Sequence, residues 1–273
     1  MNSKVKKFLC DLPFYIIMYA FIILVIGITA TVIIGCFSLN WRDTFLPEDY
    51  SLRYLQEAWT TNNIGSYYVI SLKIVVVATL ISILCSLPTA YVLARKDFKF
   101  KGVLNQFFRL PILLPDLIIG IPLATIFYSI GLAETYFGVT LILMVIGIPY
   151  GLSILTPFIE NLDGRVEVAA ETLGANKFVV FTQIIAPQLI PGIVATLINV
   201  FVRLFTNYTQ LLLVGGISTY TLTIKVFNVL QNARVESQAL LNSLTLFYML
   251  PMLGFTIVSL VAEKLLQRRF GNK

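Results

Sequence analysis

Six apolar runs, at roughly 13–37, 66–94, 104–130, 139–159, 188–213 and 240–263, constrain this chain more than any other feature. A helix needs about 20 apolar residues to cross a bilayer, and every run has that length. Of 273 residues, 58% are hydrophobic and only 12% charged, with a mean hydropathy of +0.85. An ordinary soluble domain carries about 25% charged residues. A soluble fold of this size could not hide so much apolar surface, whereas lipid removes that requirement. All six runs include stretches without period-2 alternation, which favours helices over the strands of an outer-membrane barrel. The expected fold is all-α, an integral membrane protein with six transmembrane helices. The first run lacks a small-residue cleavage site and is too long for a signal-peptide core, so it is expected to be retained.

Charge sets the expected orientation. Lys4, Lys6 and Lys7 precede the first run, and Arg95, Lys96, Lys99, Lys101 and Arg109 fall between the second and third. Arg165 and Lys177 lie between the fourth and fifth, and Lys264, Arg268, Arg269 and Lys273 follow the sixth. The opposite loops hold Arg42, Arg53, Lys73, Lys225 and Arg234, balanced by Asp43, Glu48, Asp49, Glu57 and Glu236. Cytoplasmic loops carry the excess of Lys and Arg. Both termini and the 160–187 loop are therefore expected in the cytoplasm. The net charge of +6 follows from this topology and does not require a nucleic-acid partner.

Several kinds of chemistry are excluded. The chain has no histidine, and Cys10, Cys36 and Cys85 are scattered singly, so a zinc site of the usual His/Cys kind is ruled out. No nucleophile–base or paired-carboxylate constellation supports an integral-membrane enzyme. The chain also lacks a Gly-x-x-x-x-Gly-Lys-Ser/Thr phosphate loop and cannot hydrolyse ATP by that route. Outside the membrane, residues 38–65 carry Trp41, Tyr50, Tyr54 and Trp59 among charges. Helical spacing around 51–59 reads as an interfacial amphipathic helix, or as a contact for a soluble extracytoplasmic partner.

Between the fourth and fifth runs lies a polar segment of about thirty residues. It includes Glu167-Val-Ala-Ala-Glu-Thr-Leu-Gly174-Ala-Asn-Lys-Phe178, Ile184-Ile-Ala-Pro187 and Pro191-Gly192. A short helix over Glu167–Phe178 is expected, with Ala169, Ala170, Leu173, Gly174 and Lys177 on one side and Phe178 and Phe181 beyond it. Glu167 and Glu171 sit near its N-terminus, where acids favour the macrodipole. Small residues there let another backbone come close.

Ala169-Ala170, Gly174, Ile184 and Pro187 are spaced as in the cytoplasmic loop of permease subunits of binding-protein-dependent type I ABC importers, which this chain resembles. In that family Glu-Ala-Ala is followed by Gly four positions after the second Ala, then nine residues, then Ile-x-Leu-Pro. The Ser71-Leu start and the Pro88-x-Ala-Tyr91-x-Leu-Ala-Arg95 end of the second run, together with Pro115-Asp116, are similar to the same family. They look most like its spermidine/putrescine-, phosphonate- and iron-type branch. Two positions depart: Val168 stands where the family has Glu, and Ala186 where it has Leu.

The resemblance implies residues 1–65 as an N-terminal helix and external loop, 66–263 as the importer transmembrane domain, and 264–273 as a basic cytoplasmic tail. It also implies a coupling loop built from Glu167, Ala169, Ala170, Glu171, Leu173, Gly174, Ala175, Phe178 and Pro187. The implied partners are a cytoplasmic ABC ATPase dimer that holds the ATP and magnesium, a second permease subunit, and an extracytoplasmic binding protein. The chain itself would bind no cofactor. The rival reading is a self-contained secondary transporter or channel. Such a protein is expected to show an internal repeat or paired broken helices, and no such pairing is evident in the sequence.

Charged residues at membrane depth are functional candidates by default. Asp116 lies about a dozen residues into the third run and Arg203 about fifteen into the fifth, placing both roughly 20 Å from the cytoplasmic side. They are expected either to pair between these helices or to line the path. Asn199, Arg203 and Asn207 recur four apart, with Thr206 and Gln210 alongside, as a polar stripe that hydrogen-bonds helices or lines a conduit. The polyamine branch tends to carry acids here, so neutral Thr206-Asn207 and basic Arg203 leave room for an anion or zwitterion.

Overall fold

The computed structural model describes residues 3–39, 41, 44–60, 63–216, 219–231 and 237–270. Arg42, Asp43, Arg234, Glu236 and Lys273 of the charge reading lie outside the described residues. The helices are α1 (Ser3–Cys36), α2 (Arg53–Thr60), α3 (Ile64–Arg95), α4 (Lys101–Leu113), α5 (Asp116–Ser129), α6 (Tyr136–Glu160), α7 (Arg165–Thr172) and α8 (Lys177–Val179). A π-helical segment, Val180–Ile185, leads into α9 (Ala186–Phe205), followed by α10 (Tyr208–Gly215), α11 (Leu222–Gln231) and α12 (Gln238–Phe270). Among the described residues the only β pairing is an isolated bridge, Ser38 to Tyr50. Five helical spans are long and apolar enough to cross a membrane: Leu12–Cys36, Ile64–Arg95, Tyr136–Glu160, Val180–Phe205 and Gln238–Leu266. A sixth exists if α4 and α5 are one span, although their axes differ by 98°.

Two expected straight spans are broken, each for a local reason. Pro115 has no N–H, and its ring pushes the residue before it out of the α region. Leu114 accordingly adopts φ −86°, ψ 142°, and the third run becomes two helices. In the fifth run the ladder stops at Phe205. Asn207 (φ −74°, ψ 95°) starts α10 by accepting the Gln210 N–H on Oδ1 at 3.0 Å. Asn207-x-x-Gln210 has the spacing of a capping signal, so these polar residues start a new helix where the sequence leads one to expect a continuous stripe. The helix α11, at 222–231, was not expected.

The chain divides into two compact units, Met1–Gly65 with Asn228–Tyr248, and Ser66–Phe227 with Met249–Lys273. In the first, the most apolar stretch of α1 has no buried residue and is apolar all round, as a lipid-facing helix is. The expected short helix near 51–59 is α2, whose Trp59 ring packs on Phe247 at 5.4 Å.

In the second unit, α6 supplies the central surface. Its buried residues Val139, Ile142, Leu143, Ile146, Leu152, Leu155 and Ile159 fall at helical spacing. Gly147 and Gly151, one turn apart, meet Ser82 and Ser86 of α3. A Cβ at 151 would lie 2.7 Å from Ser86 Oγ, so any larger residue would force Ser86 to move at this crossing. Ser86 Oγ shares its one proton between the Ser82 carbonyl of its own helix at 2.6 Å and the Ile148 carbonyl of α6 at 3.0 Å. Small residues and interhelical hydrogen bonds hold helices together where lipid removes the hydrophobic drive between them. The last turns of α6 join Ala90, Leu93, Val180, Ile185 and Leu189 in one apolar cluster, beneath the 163–178 loop. Its first turns join Ala124, Phe127 and Val214 in another.

Candidate functional site

The 163–178 segment is held by hydrogen bonds within itself. Asp163 Oδ1 accepts the Arg165 N–H at 3.0 Å, at the start of α7. The helix ends earlier than expected, at Thr172, in a Schellman turn. Gly174, at φ +87°, donates to the Glu171 carbonyl (3.0 Å), and Ala175 donates to the Ala170 carbonyl (3.0 Å). A Cβ at 174 would meet no atom within 4 Å, so it is the left-handed backbone at φ +87° and not crowding that calls for glycine. Asn176 Oδ1 then accepts the Val179 N–H at 2.8 Å, starting the next helical turn. Pro187 sits in the first turn of α9, where its missing N–H costs least. The π segment before it, with Ala186 N–H reaching back to the Phe181 carbonyl, widens the turn next to the proline ring.

The early stop changes the expected one-sided face. Ala170 and Ala175 turn inward onto the cluster beneath. Ala169, Glu171 and Gly174 are exposed, as are Leu173 at 89%, Phe178 at 75% and Val168 at 64%. Phe181 does not extend that surface. Its ring packs edge-on against Tyr91 at 6.0 Å. The loop therefore presents apolar side chains outward while Ala170 and Ala175 seat it.

Glu167 is the anchor. Its Oε1 accepts from Arg95 Nη2 at 2.8 Å and Nε at 3.0 Å, and its Oε2 accepts from the Tyr91 hydroxyl at 3.1 Å. Arg95 Nη2 also donates to the Leu162 carbonyl at 3.0 Å. Sequence reasoning placed Tyr91 and Arg95 only at the end of a span. The available signal was their spacing of four, which puts both on one helix face. An open groove of about 740 Å³ runs beside this clamp, lined in part by Lys96, Arg165 and Glu171.

The second candidate cluster lies where the two broken spans meet. Asp116, the first residue of α5, pairs with Arg203 in the last turn of α9, Nη2 to Oδ1, at 2.7 Å. Asn207 Nδ2 reaches Asp116 Oδ2 at 3.5 Å, and Gln210 Nε2 donates to the Asp116 carbonyl at 3.0 Å. Asn207 and Gln210 are each 1% exposed, and Gln210 Oε1 has no hydrogen-bond partner among the described residues. The ion-pair expectation thus holds, although Asp116 begins a new helix and does not lie midway along a straight one. The four-residue stripe holds less well. Asn207 caps the next helix, and Asn199 stands apart, exposed, with its amide donating to its own helix at the Ala195 carbonyl (2.8 Å).

Residues 82–272 match the family described as "Binding-protein-dependent transport system inner membrane component". The molybdate/tungstate transport system permease protein WtpB of Methanocaldococcus jannaschii is 29% identical over 147 residues. That alignment covers 51% of this chain and 59% of the relative, so the chain spans a little over half of that protein. The sulfate transport system permease protein CysT of Escherichia coli (strain K12) is 25% identical over 232 residues, 80% of this chain and 81% of that one. A crystal structure of a bacterial ABC transporter involved in the import of the acidic polysaccharide alginate shares the fold, with a TM-score of 0.71 at 14% identity. It covers 97% of this chain and 98% of its own. These names do not support the polyamine, phosphonate and iron branch that the sequence suggested. Pro115-Asp116, one basis for that branch, is explained by the helix break it makes, a role not tied to any substrate.

Proposed function

Because the chain belongs to the family of inner membrane components of binding-protein-dependent transport systems, we propose that it is the permease subunit of an ATP-driven importer for a small oxyanion. In this reading it is a multi-pass protein of the cell membrane, with both ends and the 163–178 loop in the cytoplasm. It forms half of a path completed by a second permease, its paralogue or a second copy, and receives solute from an extracytoplasmic binding protein. ATP and magnesium belong to a separate ATPase pair, and chemistry on this chain is not required.

The observation that carries the reading is the loop's construction. Its exposed tip, Leu173 and Phe178, would sit in a socket on the ATPase, while Glu167 transmits the load to α3 through Arg95. ATP binding would draw two such loops together and open the path outward, and hydrolysis would reset it. Support for an oxyanion comes from the sulfate and molybdate permeases among its relatives, and from Arg203 as the cation in the membrane-depth cluster.

The test is uptake of labelled sulfate and molybdate by cells carrying the whole system, compared with cells carrying Gly174→Asp. The variant is expected to reach the membrane, lose its co-purifying ATPase and lose uptake. Uptake that persists after ATP depletion, with no ATPase bound to the wild type, would sink the reading in favour of a self-contained carrier.

A further inference from the structure

Asp116 and Arg203 join two helix breaks, one before α5 and one before α10. A membrane span that breaks exposes unsatisfied backbone, which is tolerated where it is covered by protein or lines a cavity. The pair itself is open: the Arg203 side chain is 34% exposed and the Asp116 side chain 28%. Exposed polar neighbours continue along α9, Asn199 four residues before Arg203 and Thr206 three after, close to one face of the helix. Lipid does not favour such a strip, so this face meets water or another protein chain.

The bonding is incomplete. Guanidinium and carboxylate fit each other as a two-nitrogen fork, yet Asp116 is held by Arg203 through Nη2 alone, and Asn207 stands at the long distance of 3.5 Å. The buried Gln210 amide of the cluster leaves its oxygen without a donor among the described residues. A bare guanidinium in this position would bind a passing anion tightly and release it slowly. Conduction requires a site strong enough to be entered and weak enough to be left.

We propose that Asp116 is a built-in competitor for the transported anion. It occupies Arg203 while the path is empty, and a tetrahedral oxyanion displaces it, taking its place against Arg203 and Asn207. This deepens the importer reading and rests on it for the direction of transport. Its content is a ligand exchange with no covalent step: one guanidinium is shared in turn by an internal carboxylate and an external anion. Asp116 thereby lowers the affinity of the site, and its exchange loosens the tie between α5 and α9.

The test measures equilibrium binding of labelled sulfate, molybdate and, as an opposite-charge probe, putrescine to the full chain in nanodiscs. Asp116→Asn keeps the shape and removes the competing charge, and it is expected to bind sulfate or molybdate at least tenfold tighter than wild type. Asp116→Asn combined with Arg203→Gln is expected to lose that gain. Both variants are checked for wild-type elution and melting temperature, and Asp116→Ala serves as the second variant if Asn fails that check. Unchanged oxyanion affinity in a folded Asp116 variant overturns the proposal, and so does a gain that survives Arg203→Gln. Putrescine binding that rises in Arg203→Gln overturns it too, making Asp116 a cation site. Failure here with ATP-driven uptake intact removes the competitor and leaves the importer. Success here without an ATPase leaves the anion site and removes the importer.

Discussion

The two carboxylate–guanidinium pairs have nearly equal lengths, 2.8 Å for Arg95–Glu167 and 2.7 Å for Arg203–Asp116, yet they are built for different ends. At the loop, both side chains are 16% exposed. Glu167 takes two nitrogens of Arg95 and the Tyr91 hydroxyl, and Arg95 is further fixed by the Leu162 carbonyl. In the membrane cluster a single guanidinium nitrogen meets a carboxylate about twice as exposed. Distance alone does not distinguish a clamp from a releasable contact. The number of donors and the access of water do. In the proposed function, force passes through one pair and solute past the other, which calls for both kinds.

That comparison can be broken by mutation. Arg95→Ala is expected to have the largest effect, about 3 kcal/mol of lost stability, because it leaves a part-buried Glu167 without its cation. Hydrogen exchange should rise across 163–178, and a loss under 1 kcal/mol would mean the clamp is only a surface pair. Arg203→Gln should cost less, about 1 kcal/mol, since its pair is more open. If its unfolding midpoint falls further than that of Arg95→Ala, the ranking of the two pairs is reversed. Tyr91→Phe removes one donor and keeps the ring against Phe181, for about 0.5–1 kcal/mol. It should loosen the loop without releasing it, read as faster exchange at 165–172 alone. Leu173→Asp is expected to leave stability within about 0.5 kcal/mol, as a change at an exposed position. It should still abolish ATPase co-purification, and retention of the ATPase would move the docking surface away from the loop tip.

The apolar spans and the polar loop were legible because each is a composition signal sustained over twenty or more residues. Asp116 and Arg203 could be matched by depth because charges are rare in such runs. The breaks at 114–115 and 206–207 were hidden by the same apolar density that revealed the spans. A capping Asn207 and a chain-turning Pro115 change backbone geometry without lowering hydropathy much. The Glu167 clamp was not legible because Arg95 lies 72 residues away, and the four-residue spacing of Tyr91 and Arg95 marks a shared helix face without marking what that face holds. The sequence reading of Gly174 rests on close approach of a partner. Its positive φ makes it the residue that ends α7.

The π-helical stretch Val180–Ile185 acts on everything after it as a change of phase. Each residue of an α-helix turns the next by about 100°. A segment wound with a wider turn therefore sets the azimuth at which α9 leaves the loop. Asp116 meets Arg203 only at that azimuth. Winding the same six residues as a plain α-helix would bring the side chains of α9 round by about 100°, and deleting one residue within 180–185 would absorb that turn and leave α9 close to its present direction. The loop and the polar cluster are thus geared to one another through the winding of a single helix.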